Sequence, residues 1–261
     1  MREEPKYPVQ TVTKAIELIN TLAQEPGSRG LGVSDLAARL KMGKSTVHRL
    51  LDTLQYYGYV DKNEDSNLYR LGWQLYYIGQ SVPLQNQIYN IDQSHLLELN
   101  KAIQETVNLG ILQSHQTSII SKVEGFNPSF RVIVQQAERE AIHATSLGKI
   151  LISEFSDDEI LKLIESGSGF FKLTDRTITD PDEFLREIEK VRQQGYAVDD
   201  QEFAIGLRCL ARPIRDYTGR IIAAISVSTP IARSTEEQQK LVLELMHQTC
   251  TKISNELGYR G

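Results

Sequence analysis

The side chains that could do chemistry fall into two groups far apart in the chain. Lys44, Ser45, Thr46, His48 and Arg49 crowd one stretch, GKSTVHRLLDTL. They are short or basic hydrogen-bonding groups, the kind that meets phosphates and base edges. Val47, Leu50, Leu51 and Leu54 interleave with them at i, i+3, i+4 and i+7, one apolar helical stripe. The second group is Asp199, Cys209, Ser226 and Ser228, with Ser146 and Leu147 upstream in the stretch HATSLGK. A carboxyl, a thiol and two hydroxyls can hold a small polar molecule. With a base in reach, the thiol could also be a nucleophile, and His143 is the candidate base. Gly43-Lys44-Ser45 imitates the end of a phosphate-binding loop. That loop needs a glycine at position 38, which is alanine, and a preceding strand, where a helix is predicted.

The first group needs a helix-turn-helix to present it. Leu36, Ala37 and Leu40 predict a short helix after Ser34, a good N-cap. Met42-Gly43 makes the turn, where glycine enters the left-handed region without steric cost. The second helix starts at Lys44. Such a pattern is also common in ordinary helical cores, so its neighbours matter. Upstream, Val12, Ala15, Ile16, Ile19 and Leu22 predict a third helix. Downstream, Tyr59-Val60 and Tyr69-Arg70-Leu71 flank a polar loop, residues 61–67, and read as a hairpin. Three helices and a hairpin make a winged helix, with Lys62 and Arg70 placed to touch the DNA backbone or minor groove.

Length and composition fit this division. At 261 residues the chain suits one large domain or two ordinary ones. With 40% hydrophobic and 24% charged residues it predicts packed domains rather than disorder. No apolar run approaches the roughly 18 residues of a membrane span, and no secretory signal is visible. Two cysteines make no disulfide framework, and the expected location is cytoplasmic. Residues 1–80 hold 10 Lys and Arg against 9 Asp and Glu, while the remainder holds 19 against 25. The acidic part should point away from phosphate.

We read residues 1–72 as the DNA-binding domain, 73–91 as a linker helix and 92–261 as a second domain. In the linker, WQLYYI begins a helix, Ser81-Val82-Pro83 interrupts it and a new helix starts near Leu84. Leu75, Tyr76, Ile78 and Leu84 are more apolar than a free tether needs, which suits packing against a second copy. Helices are predicted near 96–103, 146–153, 157–165, 181–194 and 234–257. Strands are predicted at 107–112, 119–123, 130–134, 196–199, 208–215 and 220–228. The fold class is therefore α+β, an antiparallel sheet with flanking helices. In RIIAAISVS, Ile222, Ala224, Ser226 and Ser228 share one face, and Ile221, Ala223, Ile225 and Val227 share an apolar one. Cys209, Ala211 and Pro213 likewise share a face of small residues. Free N–H groups around residues 146–148 would suit a carboxylate. Ser226 and Ser228 could equally be plain small strand residues.

These motifs resemble one family. HATSLGKILIS (143–153) and DDQEFAIGLRCLARPIRDYTGRIIAAISVSTPIAR (199–233), behind a winged helix, are similar to the IclR family of bacterial transcriptional regulators. The resemblance covers essentially the whole chain. It implies a homodimer or dimer of dimers on a (pseudo)palindromic double-stranded DNA operator. It also implies a GAF- or profilin-like C-terminal domain that binds a small organic or sugar acid, with repression controlled by that effector. Carried over by position, the effector residues are Ser146 and Leu147 as backbone donors, Asp199, Cys209, Ser226 and Ser228. A small residue is common in the family where Leu147 and Arg212 stand, and glycine where Thr229 stands. No cofactor, no membrane partner and no enzymatic activity are expected. The competing readings are an enzyme with Cys209 as reactive thiol and a metal sensor. Five histidines and two cysteines show no metal-ligand spacing.

Overall fold

The computed structural model describes residues 6–25, 30–84, 91, 93–113, 115–125 and 141–261. Residues 1–5 at the N-terminus, most of the expected second linker helix and the expected strand 130–134 lie outside them. The chain divides into two compact units, Met1–Asn86 and Gln87–Gly261.

The first unit contains α1 (Gln10–Ala23), α2 (Val33–Arg39), α3 (Lys44–Tyr56), the hairpin β1 (Val60–Lys62) and β2 (Tyr69–Leu71), and α4 (Trp73–Leu84). Its core joins Leu18, Leu22, Leu31, Leu36, Val47, Leu51, Val60 and Tyr69. The backbone of Leu31 bridges to Tyr69, extending the two-stranded hairpin. Four details differ from the sequence reading. Helix α2 is capped by Gly32, so Ser34 lies within its first turn. The left-handed residue before α3 is Lys41, with φ 52°, while Gly43 is extended and serves as the N-cap. Helix α1 buries Leu18 and Leu22 but leaves Val12 and Ile16 exposed. Its apolar residues exceed one face, and the core takes only the lower stripe. Helix α4 runs unbroken through Pro83 to Leu84, the last described residue of this segment. A proline removes its own backbone donor without breaking the turns before it.

The second unit is a five-stranded antiparallel sheet with helices on both faces. Its elements are α5 (Gln93–Ile103), β3 (Thr106–Gln113), β4 (Gln116–Val123), α6 (Ser146–Ile152), α7 (Asp157–Ser166), α8 (Pro181–Gln194), β5 (Ala197–Asp200), β6 (Leu207–Arg215), β7 (Ile221–Pro230) and α9 (Glu236–Glu256). The strand order is β4-β3-β7-β6-β5. Local signals set the helix ends. Ser156 and Glu159 cap α7 reciprocally, Asp180 and Thr235 cap α8 and α9, and Gly195 closes α8 at φ 71°. One sheet face packs Leu109, Ile225, Val227, Leu210 and Ile214 against α5 and α9. Ile221 leaves that apolar set and packs beside Leu147 and Ala224, because a bulge opposite Arg215 shifts the register.

Candidate functional site

Helix α3 sorts its side chains by the packing of its apolar stripe. Val47, Leu50 and Leu51 are buried in the core of the first unit. At 100° per residue, Lys44, Ser45, His48, Arg49 and Asp52 then share one arc about 140° wide, and all are exposed. Thr46 is half-buried at its border. His48 Nδ1 lies 2.9 Å from Asp52 Oδ2 on that surface. Gly43 has no side chain to cap the helix, so the N–H groups of Lys44 and Ser45 stay open to an anion. In the wing, Asp61 pairs across from Arg70, and Lys62 from the buried Tyr69. Lys62 and Arg70 therefore point to opposite faces of the hairpin, Arg70 exposed and Lys62 half-buried.

In the second unit, register brings the other group together. Asp199, Cys209, Ser228 and Thr106 form one row across β5, β6, β7 and β3. Ala197, Ala211, Ser226 and Asn108 form the next row on the same face, then Pro213, Ala224 and Gly110. Cys209 Sγ donates to Ser228 Oγ at 3.4 Å, and Asn108 Nδ2 to Ser226 Oγ at 3.3 Å. Asp199 Oδ1 accepts the N–H groups of Glu202 and Phe203. Burial outweighs those bonds and pushes the Asp199 carboxyl up to about 7.

Helix α6 covers this face. Leu147 packs with Ala197 and Ala211 of the Ser226 row and with Ala224 of the next. Gly110 permits the approach, since a Cβ there would stand 3.0 Å from Leu147; Gly148 instead lets α6 fold back on the preceding turn, where a Cβ would stand 2.1 Å from the Ile142 carbonyl oxygen. Thr145 caps the helix by accepting the Gly148 N–H at 3.0 Å, so of the expected backbone donors that one is engaged.

Lys149, fully buried on α6, was not assigned a role from sequence, although it sits inside the quoted motif. Its Nζ donates to the Val198 carbonyl at 3.0 Å and to Glu202 Oε1 at 2.5 Å. Asn108 was also missed; its only sequence signal is a polar residue inside the apolar run TVNLGIL. Arg212 turns away from this face, and its Nη1 meets His247 of α9 at 3.3 Å. His143, weighed as a base for Cys209, is held by the Phe171 carbonyl at 2.8 Å instead. Its Nδ1 has no hydrogen-bond partner among the described residues. Burial lowers the His143 pKa, which disfavours its charged form. No cluster of three or more His, Cys, Asp or Glu side chains suited to a metal occurs among the described residues. A shallow hollow at the edge of β5, lined by Arg176, Ile178, Glu187, Val198, Asp200 and Glu202, holds none of the six residues expected to bind an effector.

Comparison with known proteins covers both units. Residues 11–64 match the IclR helix-turn-helix domain, and residues 79–255 match the bacterial transcriptional regulator IclR C-terminal domain. The chain is 32% identical over 251 residues to the HTH-type transcriptional regulator KdgR of Escherichia coli, covering 96% of this chain and 94% of that protein. It is 28% identical to the HTH-type transcriptional repressor AllR of the same species, covering 97% and 92%. The crystal structure of Thermotoga maritima IclR superimposes with a TM-score of 0.70 at 29% identity, covering 97% and 100%. An IclR homologue from Microbacterium hydrocarbonoxydans, complexed with 4-hydroxybenzoate, shares the fold with a TM-score of 0.79 at 20% identity, covering 95% and 98%.

Proposed function

The chain belongs to the IclR family of bacterial transcriptional regulators, and on that premise we propose that it is a repressor released from a (pseudo)palindromic operator by a small acid. It is a DNA-binding regulator, and its relatives are regulators rather than enzymes. The observation that carries the proposal is the exposed arc of α3. Its open N-terminus takes a phosphate, while Lys44, Ser45, Thr46, His48 and Arg49 face the major groove. Lys62 and Arg70 each give the wing one basic contact. The repressor sign is supported by AllR, which is named as a repressor.

The effector binds on the sheet face under α6. Ser226 and Ser228 supply hydroxyl donors, Asp199 and Cys209 flank them, and the first N–H groups of α6, at Ser146 and Leu147, meet the carboxylate. A chromosome-bound regulator works in the cytoplasm, and no helix among the described residues is long and apolar enough to cross a membrane. Binding to a palindrome calls for two copies. Exposed Val9, Val12 and Ile16 near α1, and Trp73, Tyr76 and Tyr77 on α4, supply apolar surface for that contact.

Selection of tight binders from random duplex DNA tests the reading. The enriched sites should show two related half-sites, and Arg49→Ala should weaken binding by about 1–3 kcal/mol while effector binding persists. Failure to enrich any sequence would overturn it. Equal loss of operator and effector binding in the variant would place Arg49 in the fold rather than the interface.

A further inference from the structure

We propose that Asn108 selects the effector, and that the acid it selects carries a hydroxyl group; this rests on the effector-site reading above. The starting observation is an unsatisfied amide. Asn108 is 4% exposed and lies beside Ser226 on the face under α6. Its Nδ2 donates to Ser226 Oγ, but its Oδ1 is buried and has no hydrogen-bond partner among the described residues. Buried polar atoms in folded proteins are almost always paired, and an orphan costs stability. Asn108 stands between Val107 and Leu109, in a strand where an aliphatic residue would pack without that cost. An amide kept there points to a partner that arrives from outside the chain.

The neighbouring groups define that partner. Ser226 Oγ accepts from Asn108, and Ser228 Oγ accepts from Cys209, so each hydroxyl keeps its own hydrogen to donate. This face therefore offers two hydroxyl donors and one amide acceptor. A carboxylate only accepts, so it can satisfy the serines but not Asn108 Oδ1. A hydroxyl elsewhere on the same ligand supplies the missing donor. It also accepts, so it serves the amide in either orientation. A site built to pair a hydroxyl rejects the analogue lacking it far more strongly than an apolar pocket rejects a missing methylene.

The test is calorimetric titration and thermal shift of the full chain with matched acids: glycerate against propionate, gluconate against hexanoate, 4-hydroxybenzoate against benzoate. At least one hydroxylated acid should bind ten-fold or more tighter than its partner. Asn108→Leu should bring that ratio near one without lowering the melting temperature of the free protein, because the orphan atom is gone. Equal binding within every pair overturns the proposal and leaves the effector site standing; this comparison uses the unaltered protein and does not depend on the variant folding. An unchanged preference in Asn108→Leu, or a variant that melts earlier, also overturns it, making Asn108 a structural group. No response to any of the six acids counts against the effector-site reading itself.

Discussion

At the scale of single residues, the buried charges of the second unit set its response to pH. The Asp199 carboxyl, pushed by burial to about 7, stands well above the ~3.9 of an unfolded aspartate. A raised carboxyl favours the folded state fully at low pH, and that contribution is lost as pH rises through about 7. Glu202 is raised for the same reason, and His143 is lowered, so His143 acts in the opposite sense, destabilising as pH falls. Comparison with a variant isolates Asp199. Asp199→Asn keeps an oxygen to accept the Glu202 and Phe203 N–H groups, so it should melt higher than the natural protein at pH 8, with the gap closing as pH falls to 4. Parallel melting curves between those limits would show that Asp199 does not titrate there. The Lys149–Glu202 pair obeys a different rule. Removing one partner leaves the other buried without its counter-charge, so Lys149→Met should cost about 3–5 kcal/mol in chemical denaturation. Adding Glu202→Gln should recover much of that loss, whereas additive losses would mean that Lys149 acts through packing alone.

At the scale of elements, the sequence shows what local rules decide and hides what tertiary contacts decide. The apolar stripe of α3, the capping of α7 by Ser156 and Glu159, and the alternation of β7 from Ala223 to Ser228 all follow from spacing and appear where expected, while the bulge that moves Ile221 does not. So does the juxtaposition of Asp199, Cys209 and Ser228, because strand alternation puts each on the small-residue face. The sequence points to Gly43 for the left-handed step before α3, yet Lys41 makes it, since the turn begins earlier than the glycine suggests. Lys149 was invisible as a site residue because its partner, Glu202, lies 53 positions away and only the fold joins them. Asn108 was passed over because one polar residue in an apolar strand has no periodicity. Two glycines make the element argument testable. Gly148→Ala would drive a methyl into the Ile142 carbonyl, forcing α6 from the turn that precedes it at a cost of about 1–3 kcal/mol. Gly79→Ala meets no atom within 4 Å inside α4 and should gain about 0.5–1 kcal/mol of helix stability. A loss at Gly79, measured by thermal melting, would instead show that a partner copy packs against that side of α4.

At the scale of the whole molecule, the residues proposed to face DNA and those proposed to hold an effector belong to separate units, so the proposed regulation requires that binding at one change the free energy of binding at the other. Thermodynamic linkage makes that coupling reciprocal. If saturating acid on two copies lowers operator affinity thirty-fold, say, the operator must lower acid affinity by factors whose product over the two sites is thirty, about five-fold each. The relation can be measured without knowing how the units move: titrate the acid into free protein and into protein saturated with operator duplex, then titrate the duplex with and without saturating acid. With one effector site per chain and a fixed number of copies, the factor in the DNA titration equals the product of the factors at the individual acid sites. A DNA factor larger than that product would mean that the acid also changes the number of copies assembled, because each assembly step adds its own free energy to operator binding. Repeating the titrations at several protein concentrations separates the cases. Coupling inside a fixed assembly is independent of concentration, whereas coupling through association weakens as the protein becomes more concentrated. The apolar residues left exposed on α1 and α4 offer a surface for association, so the concentration series decides whether the proposed effector acts within one assembly or by taking it apart.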